Sequence, residues 1–138
     1  MVILKERALV IFEEDVKDPE ILKKLKAKII VQMLPPHRYD GILTVENSLR
    51  FEGKELFNRG KFRFDIPISS IVEMHLGFDE TFVGKDSKGK KYQLDPIRIR
   101  YRDDRDVKTM YVFMEYKGLF RSNSSEECYR ILASATNP

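Results

Sequence analysis

The chain is poor in the residues that staple, metallate or chemically arm a small protein. It has one cysteine and two histidines in 138 residues. Cys128 has no partner for an internal disulfide, which fits a reducing compartment, and its neighbours Glu127 and Tyr129 offer nothing to activate a thiol, so it reads as a core residue. His37 and His75 lack cysteine partners and metal-helix spacing, so no metal site and no cofactor are expected. Long hydrophobic runs are missing too. Runs such as Ile29-Ile30-Val31 fall far short of the roughly 20 residues of a membrane span, and Met1 is not followed by a signal peptide's apolar stretch, so a cytoplasmic location is expected. Neither charge sign dominates: 25 basic residues face 22 acidic ones, so net charge names no partner. No repeat, linker or low-complexity segment divides the chain.

What is present is material for a sheet. Hydrophobic residues make up 42% of the chain, with nine Phe and six Tyr, and 34% is charged, which supplies a core and a solvated surface. A chain of this length buries roughly two-thirds of its unfolded surface as one domain. In GILTVENSLRF (Gly41 to Phe51), Ile42, Leu43 and Val45 precede an Asn47-Ser48 corner, after which Leu49 and Phe51 alternate with polar residues, spelling a hairpin. Phe62, Phe64 and Ile66 alternate with Lys61, Arg63 and Asp65 up to Pro67, and Ile71 to Leu76 begins another strand. Phe82-Val83 and Tyr92-Gln93-Leu94 predict a hairpin around Asp86 to Gly89. Ile97 to Tyr101 and Val107 to Tyr116 predict a second, closed by the four residues Asp103 to Asp106.

Helical signals lie near the two ends. Leu9 to Phe12 reads as a first strand; Asp18-Pro19-Glu20 then supplies a cap, a first-turn proline and an acid for a short helix. Its Ile21, Leu22, Leu25 and Ile29 share one arc, leaving Lys23, Lys24, Lys26 and Lys28 as a wet face. The β-branched residues Ile29 to Val31 predict a switch to strand over about Ala27 to Leu34, ended by Pro35-Pro36. After Gly118, Ser124 and Glu127 form a capping box for a helix with Cys128, Ile131, Leu132 and Ala135 on one face. Phe51, Phe64, Ile66, Ile71, Ile99, Val112, Ile131 and Leu132 are the expected core.

The expected fold is thus mainly β (α+β): a partly open barrel of about seven antiparallel strands in meander order, closed by a C-terminal helix. An N-terminal strand and short basic helix (residues 1–26) pack on a domain spanning 27–138. GILTVENSLRF, FDIPISSIVEM, the two hairpins and the helix SSEECYRILASA together resemble the GRAM and bacterial pleckstrin-homology-like superfamily over Ala27 to Ala135. That resemblance implies a non-catalytic module that binds proteins, peptides or sometimes lipid headgroups. Its lipid-binding branch gathers basic residues after the first strand, whereas Pro35-Pro36-His37-Arg38-Tyr39 carries one firm cation here.

Catalytic motifs fail residue by residue. Gly84 to Lys90 has the phosphate-loop spacing, but Lys91 stands where Ser or Thr must meet magnesium, and the context is a hairpin. Asp103, Asp104 and Asp106 lack the glycine and closing glutamate of a calcium loop, and Ser69-Ser70 lacks a nucleophile-elbow frame. No enzyme activity is expected. The strongest surface feature is the alternation of Arg98, Arg100 and Arg102 with Ile97, Ile99 and Tyr101. Period-two spacing puts the arginines on one face, with Arg102 opposite Val107, Arg100 opposite Thr109 and Arg98 opposite Tyr111. Such a face can hold carboxylates or phosphates, or be a solvated surface of arginines paired with nearby acids. The candidate binding residues are Arg98, Arg100, Arg102 and Tyr111, with Lys85, Lys88, Lys90 and Lys91 of the hairpin turn. A protein partner is the leading expectation, nucleic acid or an anionic membrane the competing one, a small enzyme of unrecognised type the third. Self-association as a dimer through an open strand edge is also expected.

Overall fold

The computed structural model describes residues 3–29, 34–86, 88–114 and 124–136. Seven antiparallel strands form one curled half-barrel sheet: β1 (Leu4–Phe12), β2 (Tyr39–Val45), β3 (Ser48–Glu55), β4 (Lys61–Pro67), β5 (Ile71–Leu76), β6 (Pro96–Asp103) and β7 (Asp106–Met114). Their spatial order is β4-β3-β2-β1-β7-β6-β5. The N-terminal strand, expected as an addition to the barrel, is its middle strand: β1 pairs with β2 through Leu4 to Val10 and with β7 through Ala8 to Phe12.

Two apolar clusters lie on opposite faces of this sheet. The inner one draws on every strand, from Val10, Leu43, Phe51 and Ile66 to Ile99 and Val112, and receives Cys128 and Leu132 from α3 (Ser124–Thr136). The outer one comprises Leu9, Ile11, Tyr111 and Phe113, covered by Val16 of α1 (Glu13–Val16), Leu25 of α2 (Pro19–Lys28), and Phe82 and Leu94. Strands buried on both faces lose their polar alternation. Hence Ala8 to Ile11 and Met110 to Met114 are unbroken buried apolar runs. Where β2 crosses β3 the sheet needs glycine, since a β-carbon on Gly41 would lie 2.1 Å from the Glu52 carbonyl oxygen.

Several local expectations hold. Asp18 Oδ1 accepts from the N–H groups of Glu20 (3.1 Å) and Ile21 (3.2 Å), capping α2, whose four lysines are exposed. The β6–β7 register pairs Arg98 with Tyr111, Arg100 with Thr109 and Arg102 with Val107, as the spacing required. The connecting loop is tighter than expected, because Asp103 pairs with Asp106 and leaves a two-residue turn in which Asp104 takes φ 55°.

Others are corrected. Ala27 and Lys28 complete α2 instead of opening a strand: they are helix formers, and Lys26 and Lys28 suit the negative end of the helix dipole. Ile29 is the extended C-cap, Leu34 is in no strand, and residues 30–33 lie outside the described residues. The expected hairpin of Phe82-Val83 with Tyr92 to Leu94 forms no pair of strands among the described residues; its backbone pairing there is an isolated antiparallel Lys85–Lys91 bridge. Phe82 and Leu94 instead plug the outer face of β7. Of the expected core, Phe51, Ile66, Ile99, Val112 and Leu132 are buried, whereas Phe64, Ile71 and Ile131 are half-buried beside it and Ala135 is exposed. The buried stripe of α3 runs through Ser125, Cys128 and Leu132, and Ser125 Oγ accepts from the Met114 N–H at 3.1 Å. The Ser124 side chain of the expected capping box, and residues 115 and 116 of the expected last strand, lie outside the described residues. No described helix is long and apolar enough to cross a membrane.

Candidate functional site

Asp79 organises the arginine face, and it is not among the residues the sequence singles out. Its Oδ1 accepts from the N–H groups of Thr81 (2.9 Å) and Phe82 (2.7 Å), folding residues 79–82 into a turn, while Oδ2 accepts from Arg98 Nη1 and the Tyr111 hydroxyl, each at 2.9 Å. Burial opposes ionisation of Asp79, but the Phe82 N–H, the guanidinium and the phenol outweigh it and hold the carboxyl below the usual range. Burial and the bond to Asp79 push the Tyr111 phenol well above its ordinary range. A local signal for Asp79 exists, since Asp-x-Thr after Gly77-Phe78 is an Asx-turn pattern; its long-range partners have none.

The three arginines therefore differ. The Arg98 side chain is only 22% exposed, and Nη2 reaches Glu73 as Nη1 reaches Asp79. Its Nε is buried without a partner. Arg100, 46% exposed, donates to Glu73 Oε2 at 3.2 Å. The hydrogen bond from Arg98 holds the Glu73 carboxyl below the usual range, assisted by both guanidiniums. Arg102 is exposed beside the turn. Of the two expectations for this face, the arrangement is that of arginines paired with nearby acids for Arg98 and Arg100, with Arg102 exposed beyond them, and Tyr111 is fully buried beneath Phe82 at 5.1 Å between ring centres. A cleft of about 520 Å³ runs along it, lined by Glu13, Asp79, Glu80, Arg98, Arg100 and Thr109. Its three carboxylates against two guanidiniums give an anion no net attraction.

Lys85, Lys88, Lys90 and Lys91 are exposed around a turn held by Asp86 Oδ1, which accepts from the N–H groups of Lys88 (2.8 Å) and Lys90 (2.9 Å). This segment does not join a strand to a helix, so the context a phosphate loop requires is not formed. His37 is buried with Nδ1 2.9 Å from the Pro35 carbonyl oxygen, and burial lowers its pKa. No group of three or more metal-ligating side chains converges among the described residues.

Two other surfaces carry features that the sequence does not announce. A cavity of about 530 Å³ lies between the end of α2 and the sheet, with Arg7, Lys28, Lys54 and Arg59 around Leu9, Leu56 and Phe57. Beside it Arg38 binds Asp15 (2.8 Å) and Glu55 (3.2 Å), tying α1 to the β2–β3 sheet. The second is a groove of about 260 Å³ between β5 and α3, lined by Ile71, Val72, Glu73, Met74, Tyr129 and Ala133. Among the described residues β5 ends the sheet, paired to β6 alone, and Val72 is 45% exposed there. No protein-family model matches the chain, and no curated protein is significantly similar to it in sequence.

Proposed function

We propose that this protein is a non-catalytic binding module of pleckstrin-homology-like type that recognises an extended segment of a protein partner at the outer edge of β5. The observation that carries this reading is the conjunction of an edge strand with a helix-walled groove. The β5 backbone groups that face away from β6 supply main-chain hydrogen bonds to an added strand, and Val72, Met74, Tyr129 and Ala133 supply side-chain selectivity. The sheet order and the closing helix support the pleckstrin-homology-like assignment. Nucleic-acid or membrane binding through the arginines is weaker, because a phosphate would have to displace Glu73 and Asp79 from guanidiniums they already hold.

A library of extended peptides screened against the protein tests the reading. Selected peptides should protect the β5 amides from hydrogen exchange, bind with little salt dependence, and be lost on Val72→Glu and Ala133→Glu. Binding that survives both substitutions, or that falls steeply with salt, overturns it.

A further inference from the structure

The other end of the sheet has a different character. Among the described residues β4 pairs only with β3. Its outward face carries Lys61, Arg63 and Asp65; its inward face carries Phe62, Phe64 and Ile66. An exposed edge normally invites indiscriminate pairing, and charges along it restrict which strands can add. Here the restriction favours a strand of the same sequence.

A two-fold axis perpendicular to the sheet brings β4 antiparallel to the β4 of a second copy and matches like faces, so each residue meets one of its own parity. The axis must then pass through a single residue. Centred on Arg63 it sets two arginines face to face between two Lys61–Asp65 pairs, and centred on Asp65 it sets two aspartates together; like charges directly opposite are destabilising. Centred on Phe64 it sets Arg63 against Asp65 of the other copy, and Asp65 against Arg63, while Phe62 meets Ile66 and Phe64 meets Phe64 on the inner face. Of the three, this register alone matches the apolar face and pairs opposite charges with no like charges directly opposite.

The side chains are available for it. Neither Arg63 nor Asp65 has an ion-pair partner among the described residues, unlike Arg98, Arg100, Arg38 and Arg50. Phe64 is half-buried, stacked on Phe51 at 5.4 Å and 15°, and ends an aromatic run through Phe12, Tyr39 and Phe62 that reaches the edge. The β5 edge does not offer the same opportunity. Its ladder shifts register between Ile71 and Glu73, and α3 packs against β5, so this edge is irregular and flanked by a helix.

We propose that two copies of this chain pair edge to edge through β4, with Phe64 on the two-fold axis and Arg63 and Asp65 forming two reciprocal ion pairs. The β5 groove stays open in such a dimer, so this proposal stands independently of the peptide-binding reading.

Charge reversal tests it, read by sedimentation and native mass spectrometry with a thermal melt of each variant. Wild type should reach twice the 16.3 kDa chain mass as concentration rises. Arg63→Asp and Asp65→Arg, each alone, place like charges opposite one another twice and should weaken dimerisation by about tenfold or more. Mixing the two variants should restore the dimer as a heterodimer, since an edge carrying two aspartates then faces an edge carrying two arginines and both pairs are of opposite charge. A wild type that stays monomeric, variants that dimerise like wild type, or a mixture of two cooperatively melting variants that stays monomeric each overturn the proposal. Were one variant unfolded, continued dimerisation by the other would overturn it and loss would support it.

Discussion

Tyr111 and Asp79, 32 residues apart in sequence, are joined by a hydrogen bond from the phenol to the carboxylate at 2.9 Å beneath the arginine face. Tyr111 is fully buried and its ring packs edge-on against Phe82, so this bond satisfies a polar group that would otherwise be stranded in the outer core. The same carboxylate also fixes Arg98 and folds the turn that carries Phe82. One side chain therefore links β6, β7 and the 77–95 connection.

Asp79→Asn keeps an acceptor for Tyr111 but removes the charge that Arg98 faces. It should cost about 1.5–3 kcal/mol at neutral pH, the range of hydrogen bonds to charged groups. The sign with pH follows from the depressed carboxyl: its ionised form contributes stability above the unfolded pKa of about 3.9, and that contribution is lost as pH falls through the folded value. Denaturation midpoints of wild type and variant should therefore converge below about pH 4. A gap that is constant from pH 7 to pH 3 would contradict the ionised network.

The three arginines should separate by stability as they do by exposure. Arg98→Met leaves Asp79 and Glu73 without their shared cation and should lower stability by about 1–3 kcal/mol. Arg100→Ser and Arg102→Ser should stay within about 0.5 kcal/mol of wild type, as exposed substitutions do. Urea titrations of the three single variants decide this, and equal effects would mean that Arg98 is no more structural than its neighbours.

Leu132 is fully buried where α3 meets the inner cluster. Leu132→Ala should cost about 2–5 kcal/mol through lost burial and a residual cavity. An unchanged denaturation midpoint would show that α3 does not dock on the sheet.

Cys128 is fully buried, and burial, with Glu127 and Glu6 adding to it, pushes its thiol up to about 12. The thiolate is the reactive form, so iodoacetamide at pH 8 should leave the native protein unmodified and label it once denatured. Rapid native labelling, measured by intact mass, would contradict this burial.

Local chemistry is legible from residues alone. Asp18 caps α2 because a carboxylate one position before Pro19 meets the first free N–H groups whatever the rest of the chain does. Arg98 faces Tyr111 because period-two alternation and a short acidic turn admit that register. The strand expected at Ala27 to Leu34 fails at its start, because Ala27 and Lys28 belong to a helix whose last turn is lysine-rich and the β-branched residues that follow say nothing of where that helix ends. The hairpin expected at Phe82 to Leu94 fails because its apolar residues have a better partner than each other, the uncovered outer face of β7.

By itself the sequence determined that this chain makes antiparallel strands, where most of them turn, and that a final amphipathic helix must cover something. These follow from side-chain period and turn geometry, which act over a few residues. Only the tertiary structure decided that β1 lies in the middle of the sheet, that Asp79 takes the arginine and the tyrosine, and that β4 and β5 are its two edges among the described residues. Those outcomes depend on which buried surfaces compete for which partners across the whole chain, and burial is settled only when every element is in place.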